Sequence, residues 1–170
     1  MSDHDGQVRQ RTITWVDPLP DAEKGLAMSG LDYLRALQRG DLASAPIMAT
    51  MGITLAEVEE SRVVFAVDPG EHHYNPLGTV HGGLVTTLLD SAMSCAVHTT
   101  LPAGVRYTTL ELKVNFVRPI LTTTGTLVCE GHVVHRGRTV ATAEGRVTAA
   151  ADGRLLAHGL TTCLVIEGAR

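Results

Sequence analysis

Aromatic residues are scarce in this chain of 170 residues: they make up 4%, with a single Trp, against 44% hydrophobic residues overall. A core must therefore be built from Val, Leu, Ala and Met, whose modest volumes permit close backbone approach. A basic excess is also missing. The formal net charge of −4 supplies none of the positive surface that nucleic-acid phosphates require. No apolar run approaches the ~18 residues of a membrane span. The acidic start Met1-Ser2-Asp3-His4-Asp5 carries neither the basic region nor the apolar stretch of a secretory signal. Cys95, Cys129 and Cys163 are odd in number, far apart and set in apolar segments. That pattern suits reduced thiols packing a core, and hence the cytoplasm, better than a disulfide framework. The expectation is a soluble cytoplasmic protein that engages neither nucleic acid nor membrane, of a length suited to one core.

Residues 1–28 are polar, and Asp17-Pro18-Leu19-Pro20 is expected to break any regular element, so they read as an arm. Residues 29–52 form an accessory segment, in which Ser29 caps a short helix carrying Leu31, Leu34 and Leu37 before Gly40 stops it. The main domain is 53–170. Strands are expected at Ile53 to Glu59 and Arg62 to Asp68, then a loop over His72 to Val80. From His81 to about His98 the period turns helical, with an apolar stripe wide enough to imply burial on most sides. Beyond Pro102 the period drops to two, placing Leu110, Leu112, Val114 and Phe116 on one face of a long strand. Three more extended runs follow, Thr126 to His135, Arg138 to Ala149 and Arg154 to Ile166; Asp152-Gly153 signals a primed turn with positive φ at both positions. Strands segregated from one helix argue for an α+β fold, an antiparallel sheet curled around a long central helix. Ala92, Ala96 and Gly83 are expected against that sheet, and one free sheet edge invites a second subunit.

The chemistry concentrates in Asn75-Pro76-Leu77-Gly78-Thr79-Val80-His81-Gly82-Gly83 and the helix it enters. Gly82 and Gly83 leave amide N–H groups unobstructed at the positive end of a helix dipole, which describes an oxyanion site or else tight packing on the sheet. Asp90 interrupts the apolar helix two turns beyond Gly83, and Ser94 lies one turn further. A carboxylate there can activate water or attack a carbonyl; its plainer alternative is a buried hydrogen bond or an interface ion pair. Asn75 before Pro76 also reads as an ordinary turn pair, and His81 as a residue that assists catalysis or, more plainly, orients the loop by hydrogen bonding. His72-His73 lacks a third ligand at metal spacing and reads as solvated loop.

These segments resemble the hotdog-fold acyl-CoA thioesterases of the PaaI-like, phenylacetate-degradation branch over roughly Ile53 to Ile166. The resemblance is carried by Asn75-Pro76-x-Gly78-x-Val80-His81-Gly82-Gly83, by Leu88-Leu89-Asp90, and by Lys113-Val114-Asn115-Phe116-Val117-Arg118-Pro119. It implies a hotdog fold and dimers joined edge to edge, often paired into homotetramers, with active sites between subunits. It implies that Gly82 offers its N–H to the thioester carbonyl, that Asn75 lies close to the reacting group, and that Asp90 comes across the interface as general base or nucleophile. Thr109 aligns with a hydroxyl that positions water, and Ser94 with a Ser or Thr of the family. Arg136 and Arg138, in a hairpin turn, suit the phosphates of coenzyme A. No metal or cofactor is implied; coenzyme A enters only as part of the substrate. The alternative from another class is a non-catalytic acyl-CoA-binding hotdog module, which would not require Asp90.

Overall fold

The computed structural model describes residues 6–167. In chain order it contains α1 (Leu19–Leu26), α2 (Gly30–Arg39), α3 (Pro46–Met51), β1 (Ile53–Glu59), β2 (Arg62–Val67), α4 (Gly82–His98), β3 (Arg106–Phe116), β4 (Leu127–Arg136), β5 (Val140–Ala149) and β6 (Leu155–Ile166). The strands form one antiparallel sheet in the order β1-β2-β4-β5-β6-β3. The sheet curves around α4, the hotdog arrangement expected from the resemblance. Leu88, Leu89, Ala92, Met93 and Ala96 of α4 are fully buried against it.

Glycines make this contact close. Gly131 pairs with Gly145, and Gly145 with Gly159, so a row of glycines crosses β4, β5 and β6. A β-carbon at Gly131 would lie 2.4 Å from the carbonyl carbon and oxygen of Ala92, and one at Gly145 would lie 2.8 Å from Met93 Cγ. Ala92 and Ala96 do face the sheet, but Gly83 does not; it is half-buried, and a β-carbon there would meet only the His81 ring.

The segment preceding β1 closes the remaining side of α4. Ser29 caps α2 by accepting from the Asp32 N–H (3.2 Å), and Gly40 ends it in the left-handed region (φ 78°). Tyr33 of α2 packs on His98, which packs in turn on Tyr107 of β3, with ring centroids 5.5 Å and 5.0 Å apart. Burial there pushes the His98 imidazole down to about 4. Contrary to expectation, Pro18 and Pro20 start α1 instead of preventing it: they occupy its N-cap and first turn, where a missing N–H breaks no helical bond. Arg11, in the arm, donates to the carbonyls of Thr50 (3.0 Å) and Ala49 (3.3 Å) at the end of α3.

Three further expectations are corrected. Leu110 is 58% exposed because a bulge between Thr109 and Glu111 breaks the alternation; Phe116, at the strand end, is also exposed. The β5–β6 turn is a longer loop in which only Gly153 has positive φ (70°), Asp152 accepting from the Arg154 N–H (3.1 Å) instead of adopting a primed turn. His73 is not solvated: it is buried, accepts the Gly70 N–H at Nδ1 (2.9 Å) and reaches the Met51 carbonyl with Nε2 (3.0 Å). An open sheet has two edges. At β1 a bulge between Leu55 and Glu57, together with Gln38 donating to the Ala56 carbonyl (2.6 Å), blunts the edge. The 11-residue β3 pairs with β6 and with no other strand among the described residues.

No helix among the described residues is long and apolar enough to cross a membrane. Gly131→Ala should destabilise the fold by about 2–3 kcal/mol, the cost of forcing a methyl group into a packed contact, read as a lower urea midpoint at unchanged slope. A loss below about 0.5 kcal/mol, within the range of ordinary surface changes, would contradict this packing.

Candidate active site

The loop entering α4 is pinned before the helix begins. Tyr74 and Val80 form a β-bridge, His81 donates its N–H to the His73 carbonyl (2.7 Å), and Val80 donates to Ile120 (2.9 Å). Asn75 organises the interior of this loop. Its Oδ1 accepts from the N–H groups of Leu77 (2.9 Å) and Thr79 (3.3 Å), while Nδ2 donates to Thr79 Oγ1 (2.8 Å). Gly78 allows the turn with φ of 76°.

His81 is the N-cap of α4, and its Nδ1 accepts the Gly83 N–H at 2.8 Å. The ring proton of a neutral His81 therefore lies on Nε2. The two glycine amides are no longer equivalent: that of Gly83 is occupied, whereas that of Gly82 has no partner among the described residues. Phe116 covers Gly82 closely, a β-carbon there falling 2.9 Å from Phe116 Cζ. An open cavity of about 430 Å3 adjoins this point, lined by Gly82, Val85, Phe116 and Arg118 among others.

Asp90 lies further along α4, half-buried. Thr109 Oγ1 donates to its Oδ1 at 2.9 Å, and Oδ2 has no partner among the described residues. The bulge in β3 is what turns Thr109 inward on the same side as Leu112 and Val114. Ser94 is buried beneath Tyr107. Burial holds the Tyr107 hydroxyl well above its usual range, Cys95 raises it further, and the Ser94 hydrogen bond opposes them. Burial likewise pushes the Cys95 thiol up to about 12. Cys163, cross-strand from Thr109, is raised by the same cause. All three cysteines are free.

Arg136 is half-buried, donates to the Gly137 carbonyl and leaves its Nε without a partner; Arg138 is exposed. Arg136 lies in one cross-strand row with Ala141, Cys163 and Thr109. Three strand spacings separate its ends, about 14 Å at roughly 4.8 Å each. Among the described residues no group of His, Cys, Asp and Glu is placed to hold a metal ion.

The Thioesterase superfamily matches residues 77–156, the stretch that holds Gly82, Asp90, Thr109 and Arg136. Human acyl-coenzyme A thioesterase 13 is 30% identical over 110 residues, which span 65% of this chain and 77% of the human protein. The chain belongs to the thioesterase superfamily. Among solved structures, this thioesterase is similar to a phenylacetic acid degradation-related protein of Ralstonia eutropha, at 28% identity and a TM-score of 0.70, covering 78% of this chain and 98% of that one. It is also similar to a mutant of the phenylacetic acid degradation protein PaaI of Thermus thermophilus, at 26% identity and a TM-score of 0.64, covering 71% and 98%.

Two residues beside the candidate site escaped sequence reasoning. Phe116 was read only as sharing a strand face with Leu110, Leu112 and Val114, and Tyr107 was not singled out; the ring beside Gly82 depends on strand curvature that alternation alone does not encode. His81→Ala should cost about 1 kcal/mol, the worth of an N-cap, and His81→Asn should restore most of it in thermal unfolding. Equal stability of the Ala variant and the wild type would mean that the cap does not hold the Gly82 end of α4.

Proposed function

We propose that this protein hydrolyses an acyl-coenzyme A thioester to the free acid and coenzyme A. The observation that carries this reading is the free Gly82 N–H at the start of the helix that also bears the Thr109-oriented carboxylate of Asp90. The thioester carbonyl oxygen accepts from the Gly82 amide, where the helix dipole stabilises the negative charge of the tetrahedral intermediate. Thr109 ties up Oδ1 of Asp90 and leaves Oδ2 to take a proton from water or to attack the carbonyl carbon itself. The departing group is a thiolate, favoured by a thiol pKa of about 8.5.

One subunit cannot hold this arrangement. Gly82 and Asp90 are eight residues apart on one straight helix, about 12 Å along its axis at 1.5 Å per residue. An oxyanion donor and a base must both lie within roughly 3 Å of the same reacting group. The reading therefore joins Gly82 of one subunit to Asp90 of another, in a homodimer paired along the bare β3 edge, and extends to a pair of such dimers. Asn75 and His81 hold the Gly82 loop, Ser94 supports the Asp90 face through Tyr107, and the Gly83 amide serves the cap instead of the carbonyl. Arg138, with Arg136 in the row that ends at Thr109, is suited to the coenzyme A phosphates. The three free thiols fit a reducing cytoplasm.

Thiol release from acyl-coenzyme A substrates tests this reading. Asp90→Asn should lower kcat by about 10²–10⁴, the usual contribution of a positioned acid or base, with folding and subunit association unchanged. Thr109→Val should give a smaller loss, mainly in kcat. Wild-type binding of acyl-coenzyme A without any release of thiol would replace hydrolysis by the non-catalytic binding module.

A further inference from the structure

Between α2, α3 and the β1–β2 hairpin lies a second cavity, of about 450 Å3. Leu34, Leu37, Met48, Ile53, Leu55 and Phe65 supply half of its lining residues, and Cys95 of α4 closes it on the side of the central helix. No charged side chain lines it. Its volume falls within the roughly 300–1,000 Å3 of small-molecule sites. The cavity opens to solvent at a rim that carries Gln38, Ser44 and Thr54. Gln38, one of the few polar groups at the rim, already donates to the Ala56 carbonyl.

We propose that this cavity receives the hydrocarbon end of the acyl group, so that the protein selects linear aliphatic acyl chains of medium length. The inference rests on the thioesterase reading for the position of the acyl carbonyl. Cys95 lies five residues beyond Asp90 on α4, about 8 Å along the axis at 1.5 Å per residue and about 140° around it at 3.6 residues per turn. Between them the helix presents the small, half-buried Ser91. A chain whose carbonyl sits at Asp90 reaches the cavity by crossing the helix surface over Ser91. The lining holds one aromatic ring, Phe65, among flexible Leu and Met side chains, which mould around an alkyl chain more readily than they stack on a ring. A methylene takes about the space of a water, roughly 30 Å3, so there is room for on the order of ten of them. The walls from α2 and α3 lie outside residues 77–156, which the superfamily matches.

The test titrates the full-length protein with S-decyl-coenzyme A and S-butyl-coenzyme A, thioethers that no thioesterase can cleave. The wild type should bind the decyl compound about 4-fold tighter for each methylene that enters the cavity, on the order of 100-fold in total, since each contributes about 0.8 kcal/mol. Ala49→Phe, which fills the space from α3, should reduce that ratio at least tenfold. Met48→Ala, which enlarges it, should preserve the decyl preference and extend it to dodecyl. Each ratio is internal to its variant, so a general loss of coenzyme A binding does not imitate the effect. Equal affinity of the wild type for both compounds overturns the inference, as does a ratio unchanged in Ala49→Phe or no binding at all. Strong decyl preference in a protein that releases no thiol would sink the hydrolase reading and leave the cavity assignment standing.

Discussion

The backbone of α4 lies directly on Gly131, at a separation that leaves no space for a β-carbon there, and its Met93 and Leu89 side chains rest on Gly145 and Gly159. Peptide atoms meet at Gly131, so the helix is fixed in height and in rotation, with Leu89 and Met93 filling the flanks of the glycine row. That rotation sends the apolar side chains of α4 into the sheet. Thr87, Asp90, Ser91 and His98 are left on the one side that the sheet does not wrap. A polar stripe on a core helix is costly unless its groups find partners. Thr109 meets Asp90, and α2 covers the far end through Tyr33 and His98.

Two consequences for chemistry follow from the same rod. The free Gly82 amide sits at the positive end of the dipole, held by the His81 cap and by the loop that Asn75 organises. Asp90 sits about 12 Å away along the axis at 1.5 Å per residue, beyond the reach of any carbonyl resting on Gly82. In the proposed mechanism a rigid helix separates the two halves of the chemistry, and the bare edge of β3 is where a second subunit would reunite them across a symmetric interface. The bulge in β3 serves that arrangement by turning Thr109 toward Asp90.

Much of this was legible in the residues. The strands and the central helix declare themselves through period two and period 3.6, and Ser29 and Gly40 mark the ends of α2. Gly82 and Asp90 stood out because a glycine pair and a carboxylate are expensive in an apolar helix. The bulge at Leu110 was not readable, since no side-chain pattern announces an unpaired residue and its effect is to invert the pattern beyond it. His73 looked solvated because its partners, Met51 and Gly70, are brought to it by α3 and a turn that sequence did not resolve. The glycine row did leave a signal, one glycine every 14 residues from Gly131 to Gly159. It went unread because each glycine by itself looks like a tolerated strand glycine, and only the hairpin register aligns them.

The division of the site between subunits is tested most directly by mixing two inactive variants, Asp90→Asn and Gly82→Val, under conditions that exchange subunits. In a mixed dimer, Gly82 of the Asp90→Asn subunit meets Asp90 of the Gly82→Val subunit, and one complete site is regenerated. With random pairing in a two-fold dimer, thiol release should return to about 25% of the wild-type rate. If exchange is complete and no activity returns, both halves of the site belong to one chain and the account is wrong.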